Sequence, residues 1–586
     1  MRALPKIGSM TGPLFVMLAL GCQASVESDN PGASAGGSGN GGSGSGSGSG
    51  STSTAGTQNL AGGAALPPGA EPTALLPARI RRLSVAEYQA TVSDPRVIGA
   101  DADDVSADFV PDSRQDPKRG GFTVNEAQRV DPVFARQLSE AGIQLAASIR
   151  QHAAERAPCD PGSDRRECAA SFIRRFGEQA YRRPLGDDEV EHLLTVFDAA
   201  SDGGSYEEGI ELVVRAMLQS AAFLYLTEIG DAPAVHVKLT PYELASSISY
   251  LIQGGPPSQD LLERAKRGDL DSSEGRAGLA VDAHLFEGAD AATRISRVVR
   301  EWLGTDRVSD IAKDTNVYRG FADAQSAIAR ETTEFLNGLV QIDGGGSLQQ
   351  LLAGNWTMAN AKLASVYDVS GVSGDAFVRI DTPKRLGILN QAAFQSVFAH
   401  ASETAPVLRG VAVMRRVACV MVADPTDLGI AVVPPVPDTS KTVRERFSVH
   451  SADATCNSCH KLIDNFGFAF EHFDGMGRFV EQDNNGHTLD SSVSVVGTDF
   501  DGSYPDSNAL ATAMSTSPQV RECFARHMFR ALAATSDPAF TASEDEFVKY
   551  WDTTLTRAND QVTDVSIIGT VFSYITSPAF NYRRGQ

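Results

Sequence analysis

The sequence predicts a mainly α-helical body built of several modules, preceded by a flexible Gly/Ser-rich linker. Three observations carry this. Apolar residues recur at helical spacing along most of the chain after residue 130. Several of these runs open on a capping residue followed by proline, as in Asp131-Pro132 and Thr240-Pro241. Strand-like stretches are few and short, FVRI at 377–380 and SSVSVVG at 491–497.

The N-terminal stretch reads as an export signal. Arg2 and Lys6 form a basic start, and the apolar run Pro13 to Leu20 is too short to span a bilayer. It ends in Ala19-Leu20-Gly21-Cys22, which resembles a bacterial lipoprotein signal with Cys22 as the lipidated residue. The other reading is ordinary signal cleavage near the same place. Ala24, where Asp would mark inner-membrane retention, favours the outer membrane by the same resemblance. Residues 1–22 are thus the signal and 23–76 the linker. From Asn30 to Ala70 the linker is nearly all Gly, Ser, Ala, Thr and Pro. Such a segment cannot bury enough apolar surface to offset its ordering entropy. About 45 residues of flexible coil reach roughly 35–40 Å. The picture is a tethered body on the bacterial envelope, facing periplasm or cell surface.

The whole chain has 586 residues, 42% hydrophobic and 21% charged, which fits a folded body. The formal net charge of −22 argues against nucleic acid as a partner. Only three tryptophans are present, too few to suggest a sugar-stacking platform.

Helical runs follow in order. Residues 131–156 place Phe134, Leu138, Ile143, Leu145 and Ile149 near helical spacing. The runs 187–200, 205–230, 239–253, 258–288, 291–303, 322–340 and 347–353 read the same way. Near the end, 507–515, 518–534, 541–556 and 564–576 continue the trend. A Pro-rich connector lies at 432–438. The body divides into helical modules at 77–157, 158–232 and 233–370, a module at 384–500 that holds the one Cys-x-x-Cys-His motif, and a last helical module at 505–586.

That motif is Cys456-Asn457-Ser458-Cys459-His460. Two thiols one helical turn apart reach the two vinyl groups of a porphyrin, and the next residue turns an imidazole under the iron. The spacing predicts one covalent haem c, with Cys456 and Cys459 as attachment points and His460 as proximal iron ligand. A zinc site is an alternative, with His450, His472 and His487 as further ligands, but no second Cys pair stands nearby. A Cys456–Cys459 disulfide is the other. For the sixth iron ligand His450 ranks above Met476, with Met514, His527 and Met528 from the last module as further candidates, although Met528 beside Phe529 reads as packing; an open position is the other choice. There are seven cysteines. With Cys22 lipidated and two on haem, four are left. Cys159 and Cys168 flank a turn-rich loop and are expected to pair, and Cys419 with Cys523 by elimination.

Beyond the linker, successive stretches resemble a multi-module bacterial family, the planctomycete-type cytochrome c proteins. They include RIRRLSVAEYQATVSD (79–94), AYRRPLGDDEVEHL (180–193), AMLQSAAFLYLTEIG (216–230), LTPYELASSISYLI (239–252) and EWLGTD (301–306). WTMANAKLASVYDV (356–369), RLGILNQAAFQSVFAHASETAPVLRG (385–410) and SYITSPAFNYRRG (573–585) extend it. Around the motif the pattern continues with Ile463-Asp464, Gly467-Phe468, Glu471, Phe473-Asp474 and Gly477. Ser247 stands where the pattern has Arg. The resemblance implies consecutive domains of unknown function and one cytochrome-like module carrying haem c.

Asp464, Glu471 and Asp474 could bind a cation or tune a haem's potential by their charge, but are expected rather to cap helices and pair with Arg478 or Lys461; Arg182 and Arg183 are expected at a helix entry, in salt bridges between modules. No phosphate loop, HExxH or triad setting occurs. The function this supports is a surface-tethered c-type haem protein in electron transfer. Its partners would be outer-membrane lipid at Cys22 and a redox protein. A haem-dependent oxidoreductase with an open distal site, or a non-enzymatic scaffold with the motif as a disulfide, are the alternatives.

Overall fold

Helices in the body start where a hydroxyl side chain stands three residues ahead of Glu or Gln. Ser84 accepts from the Glu87 N–H while Glu87 takes the Ser84 N–H, opening the helix Val85–Val92. Thr240 with Glu243 opens Pro241–Ile252 in the same way, and Ser205 with Glu208 opens Tyr206–Leu218. Each cap satisfies donors that a helix end would otherwise leave orphaned and contributes about 1 kcal/mol.

This computed structural model describes residues 65–585, apart from 69, 103, 114–120, 124–128, 158, 161–163, 282–288, 342–345, 424, 426–428, 430–435, 437, 449–453, 535–540 and 559–564. Cys22, the linker up to residue 64, His450 and most of the Pro-rich connector lie outside the described residues. The protein is mainly α. Among the described residues the strands are short and form two-stranded antiparallel ribbons. β1 (Arg79–Arg82) pairs with β2 (Tyr225–Glu228), and β3 (His236–Lys238) with β8 (Tyr582–Arg584). β4 (Trp356–Ala359) pairs with β5 (Val378–Asp381), and β6 (Val493–Val495) with β7 (Gly502–Tyr504).

The structure corrects several helical readings. The run 205–230 is helical only to Leu218; after a short turn, Ala221–Leu224, it enters β2. Ser220 recaps at the Phe223 N–H, and pairing with β1 claims Tyr225–Glu228, so a distant partner overrides local spacing. The run 258–288 gives two helices, Gln259–Lys266 and Ser273–Val281, because Gly268 turns the chain at φ +78°. The run 131–156 breaks at His152, and its Ile143 faces solvent.

Three apolar clusters hold these elements. One unites Leu83, Tyr88, Leu145, Phe172, Val213 and Leu226 from the first two modules. A second and larger one joins Trp302, Leu389, Val413, Phe466, Phe524 and Ile575, so the motif-bearing module shares its core with those on either side. A third packs Tyr318, Ile328, Leu363, Ala392 and Met476.

The helix Pro406–Arg416, on which the motif helix packs, is tied to the helix Ala289–Leu303. Trp302 Nε1 donates to the Arg416 carbonyl at 2.6 Å, and Arg416 Nη1 returns a bond to the Trp302 carbonyl at 2.6 Å. Cys419 and Cys523 form a disulfide across a separation of 104 residues, and Cys159 and Cys168 form one across 9.

Candidate functional site

The Cys-x-x-Cys-His motif lies on the helix Ala454–Phe468. That helix packs on Pro406–Arg416 with glycine at both contacts. A Cβ on Gly410 would strike the Ile463 carbonyl oxygen, and one on Gly467 the Pro406 carbonyl oxygen. Only glycine permits this backbone approach.

Cys456 and Cys459 remain thiols and are half-buried. Cys459 packs against the large cluster. His460, its side chain 19% exposed, holds Nδ1 2.9 Å from Oδ1 of Asp464, one turn along the helix. A carboxylate there accepts Nδ1–H and fixes the tautomer whose Nε2 carries the lone pair, the form that ligates a metal. Asp464 is buried, and its Oδ2 accepts no hydrogen bond.

The three acids separate in role. Asp474 pairs with Arg478 at 2.7 Å, as the sequence suggests. Asp464 serves His460 rather than Lys461. Glu471 caps nothing: it is 2% exposed, and its Oε1 has no hydrogen-bond partner. Burial pushes it up to about 7, against the lowering pull of Arg409, Arg444 and Arg446. Sequence reasoning passed over these arginines. Arg409 is fully buried and donates to the carbonyls of Phe470, Phe473 and Asp474, clamping the turn after the motif helix. Arg385 does the same at the Gly477 carbonyl, 2.7 Å away. Among the described residues, buried Nε atoms of Arg444 and Arg446, and Nη1 of Arg446, donate to no group. The clue lay in the run RERFSVHSADATC, where two arginines precede the motif.

Met476 is 2% exposed and packs in the third cluster, in a turn where Gly475 touches Tyr318 and Gly477 touches Ala392. His472 Nδ1 donates to the Val480 carbonyl, and His487 Nδ1 to Asp483. Among the described residues, the one trio of His, Cys or acid ligands that converges is Cys419, Cys523 and His527. Its two sulfurs are bonded to each other, so they are not thiolates. Burial lowers His527 to about 3 and keeps it neutral.

Arg182 corrects its sequence reading. It adopts φ +60° and donates to the carbonyls of Ala180, Ala222, Phe223 and Tyr225, forming no salt bridge among the described residues. Arg183 pairs with Glu189, which lies within the same module. Among the described residues no helix is long and apolar enough to cross a membrane.

Three family models match in succession. Residues 168–228 match PSD5, a protein of unknown function (DUF1595). Residues 239–369 match PSD4, a protein of unknown function (DUF1592), and residues 385–483 match PSCyt3, a protein of unknown function (DUF1588). No curated protein and no solved structure matches. The helical body and the three consecutive matches define a multi-module protein built of domains of unknown function. The chain belongs to the planctomycete-type cytochrome c multi-module family, of which these consecutive domains are the signature.

Proposed function

We propose that this chain is a c-type haem protein tethered to the bacterial envelope and engaged in electron transfer. The observation that carries this reading is the His460–Asp464 pair beside two half-buried thiols, Cys456 and Cys459, on one helix. Haem bound there would supply a one-electron couple. Cys456 and Cys459 would anchor it covalently, and His460 would ligate its iron with the orientation set by Asp464. The residues present fit such a group. Arg444 and Arg446 offer buried donors that no group among the described residues accepts, which suits porphyrin carboxylates. For the sixth ligand, Met476 is already packed among Tyr318 and Ala392, so His450 is the better candidate. Cys22 would carry the lipid that holds the body at the outer membrane, with the Gly/Ser-rich linker as spacer.

The test is expression in a host that attaches haem c, followed by pyridine haemochrome analysis. One haem per chain is expected, lost in Cys456→Ala with Cys459→Ala. Absence of haem in the wild-type chain would end this reading. Ferric and ferrous spectra with cyanide and carbon monoxide separate electron transfer from small-molecule chemistry. Low-spin spectra unaltered by either ligand are expected. High-spin iron that binds them would favour an oxidoreductase instead.

A further inference from the structure

Far along the sequence from the haem motif, the start and end of the body meet in a cleft lined by arginine. β1 supplies Arg79 and Arg81 on one face of the strand, β8 supplies Arg583, and the helix Ala289–Leu303 supplies Arg294. Glu228 of β2 and Ser247 also line it.

The carboxylates are mostly spent. Glu228 Oε2 takes Nε of Arg79 at 2.8 Å and Nε of Arg583 at 2.7 Å, and Oε1 takes the Ser247 hydroxyl at 3.3 Å. Although burial works to raise it, Arg583 and Arg79 hold this carboxyl well below the usual range. Glu87 uses Oε2 for the Ser84 N–H. It lies 3.5 Å from Nη1 of Arg81 and 3.9 Å from Nη2 of Arg294, both long for hydrogen bonds. Glu301 accepts from Thr123 at the rim.

Two guanidiniums are therefore under-used. Arg81 is 6% exposed, and among the described residues its Nε and Nη2 donate to nothing. Arg294 has no contact among the described residues closer than its 3.9 Å approach to Glu87. Four guanidiniums line the cleft, and Glu228 is the one carboxylate among its lining residues described. A buried charge without a partner is costly. The chain as a whole carries −22, so this local excess is not a general surface property. The cavity volume of the cleft is about 20 Å³. That is room for one or two waters.

We propose that this cleft is a binding site for one small monovalent anion, a halide or a single carboxylate group, held by Arg81 and Arg294. Space for one or two waters excludes a nucleotide or a sugar phosphate. The arginine-rich lining suits an anion, and the narrow space suits a single small one. The ligand would bridge β1 to the helix Ala289–Leu303, a link that the long contacts through Glu87 make poorly. It would also brace the junction where β1, β2 and Arg583 converge on Glu228.

The test uses the full chain at constant ionic strength, with the sodium salt of a bulky sulfonate (MES) replaced stepwise by chloride, bromide, formate or butyrate. A saturable rise in Tm of roughly 2–5 °C is expected with chloride, bromide and formate. A rise with butyrate as well would assign the site to a carboxylate of a longer molecule entering from the open side. Arg81→Met and Arg294→Met should each abolish the rise. Equal Tm in all salts, or an undiminished rise in folded Arg81→Met, would overturn the proposal. Crystals of the wild-type chain soaked in bromide give a readout that needs no variant. An anomalous peak between Arg81 and Arg294 is expected, and its absence would count against the site.

Discussion

Nδ1 of His460 and Oδ1 of Asp464 lie 2.9 Å apart on consecutive turns of one helix. The carboxylate adds negative charge to the imidazole and favours the oxidised state of a metal bound at Nε2. Asp464→Asn keeps the size and removes the charge. In the haem-loaded protein the midpoint potential should rise. A differential of about 1 kcal/mol corresponds to roughly 40 mV for one electron. Potentiometric titration of the visible bands measures it. An unchanged potential would mean that Asp464 orients nothing that the iron senses.

Gly467 faces the Pro406 carbonyl with no room for a methyl group. Gly467→Ala must push the two helices apart, at a cost of about 1–3 kcal/mol or more. Gly278, in the helix Ser273–Val281, meets nothing within 4 Å of an added Cβ and is the control. Gly278→Ala should be neutral or stabilise by up to about 1 kcal/mol. Urea denaturation of both variants checks the contrast, and equal midpoints would refute the close-packing argument.

The Cys419–Cys523 bond closes a loop that contains the whole motif helix. Replacing both by alanine should cost about 2–5 kcal/mol, chiefly by freeing the unfolded chain. The Cys159–Cys168 bond spans only 9 residues and should cost less. Comparing denaturation midpoints of the two double variants orders them.

Two buried carboxyls make stability depend on pH. Burial raises Glu331 and Glu471 from 4.5 to about 7. Between those values the folded chain keeps protons that the unfolded chain has lost. The contribution is therefore full below about pH 4.5 and is lost as pH rises through about 7. Each group is worth on the order of 3 kcal/mol at most. Glu331→Gln can still accept from Tyr367 and Thr357, which bond the native carboxylate at 2.6 and 3.0 Å. It should remove about half of the stability lost between pH 5 and pH 8. Denaturation at those two pH values measures the difference, and an unaltered loss would exclude Glu331 as its source.

Helix positions were legible because their signals are local. Ser84, Ser205 and Thr240 each stand three residues ahead of a glutamate, and the caps form there. The motif residues were legible for the same reason, since one turn of helix is one short string. What escaped was set by distant partners. Arg79–Arg82 is three-quarters arginine, yet it is a mostly buried strand because Glu228 waits 149 residues away. Tyr225–Glu228 leaves its helical spacing to meet it. The carbonyl clamps made by Arg182 and Arg409 were equally hidden. A guanidinium advertises a carboxylate partner, whereas the main-chain oxygens it satisfies carry no sequence signature.

β3 has no partner until Tyr582–Arg584 exist, and Glu228 stands one arginine short until Arg583 arrives. Arg584 also exchanges backbone bonds with Leu76 and Ala78 at the opening of the body. Chains usually fold from the N-terminus as they are made. Here residues 582–584 complete structure that β1 and β3 begin. A chain without residues 582–584 would thus keep a buried acid under-neutralised and an open strand edge, so their deletion should loosen both ends of the body at once.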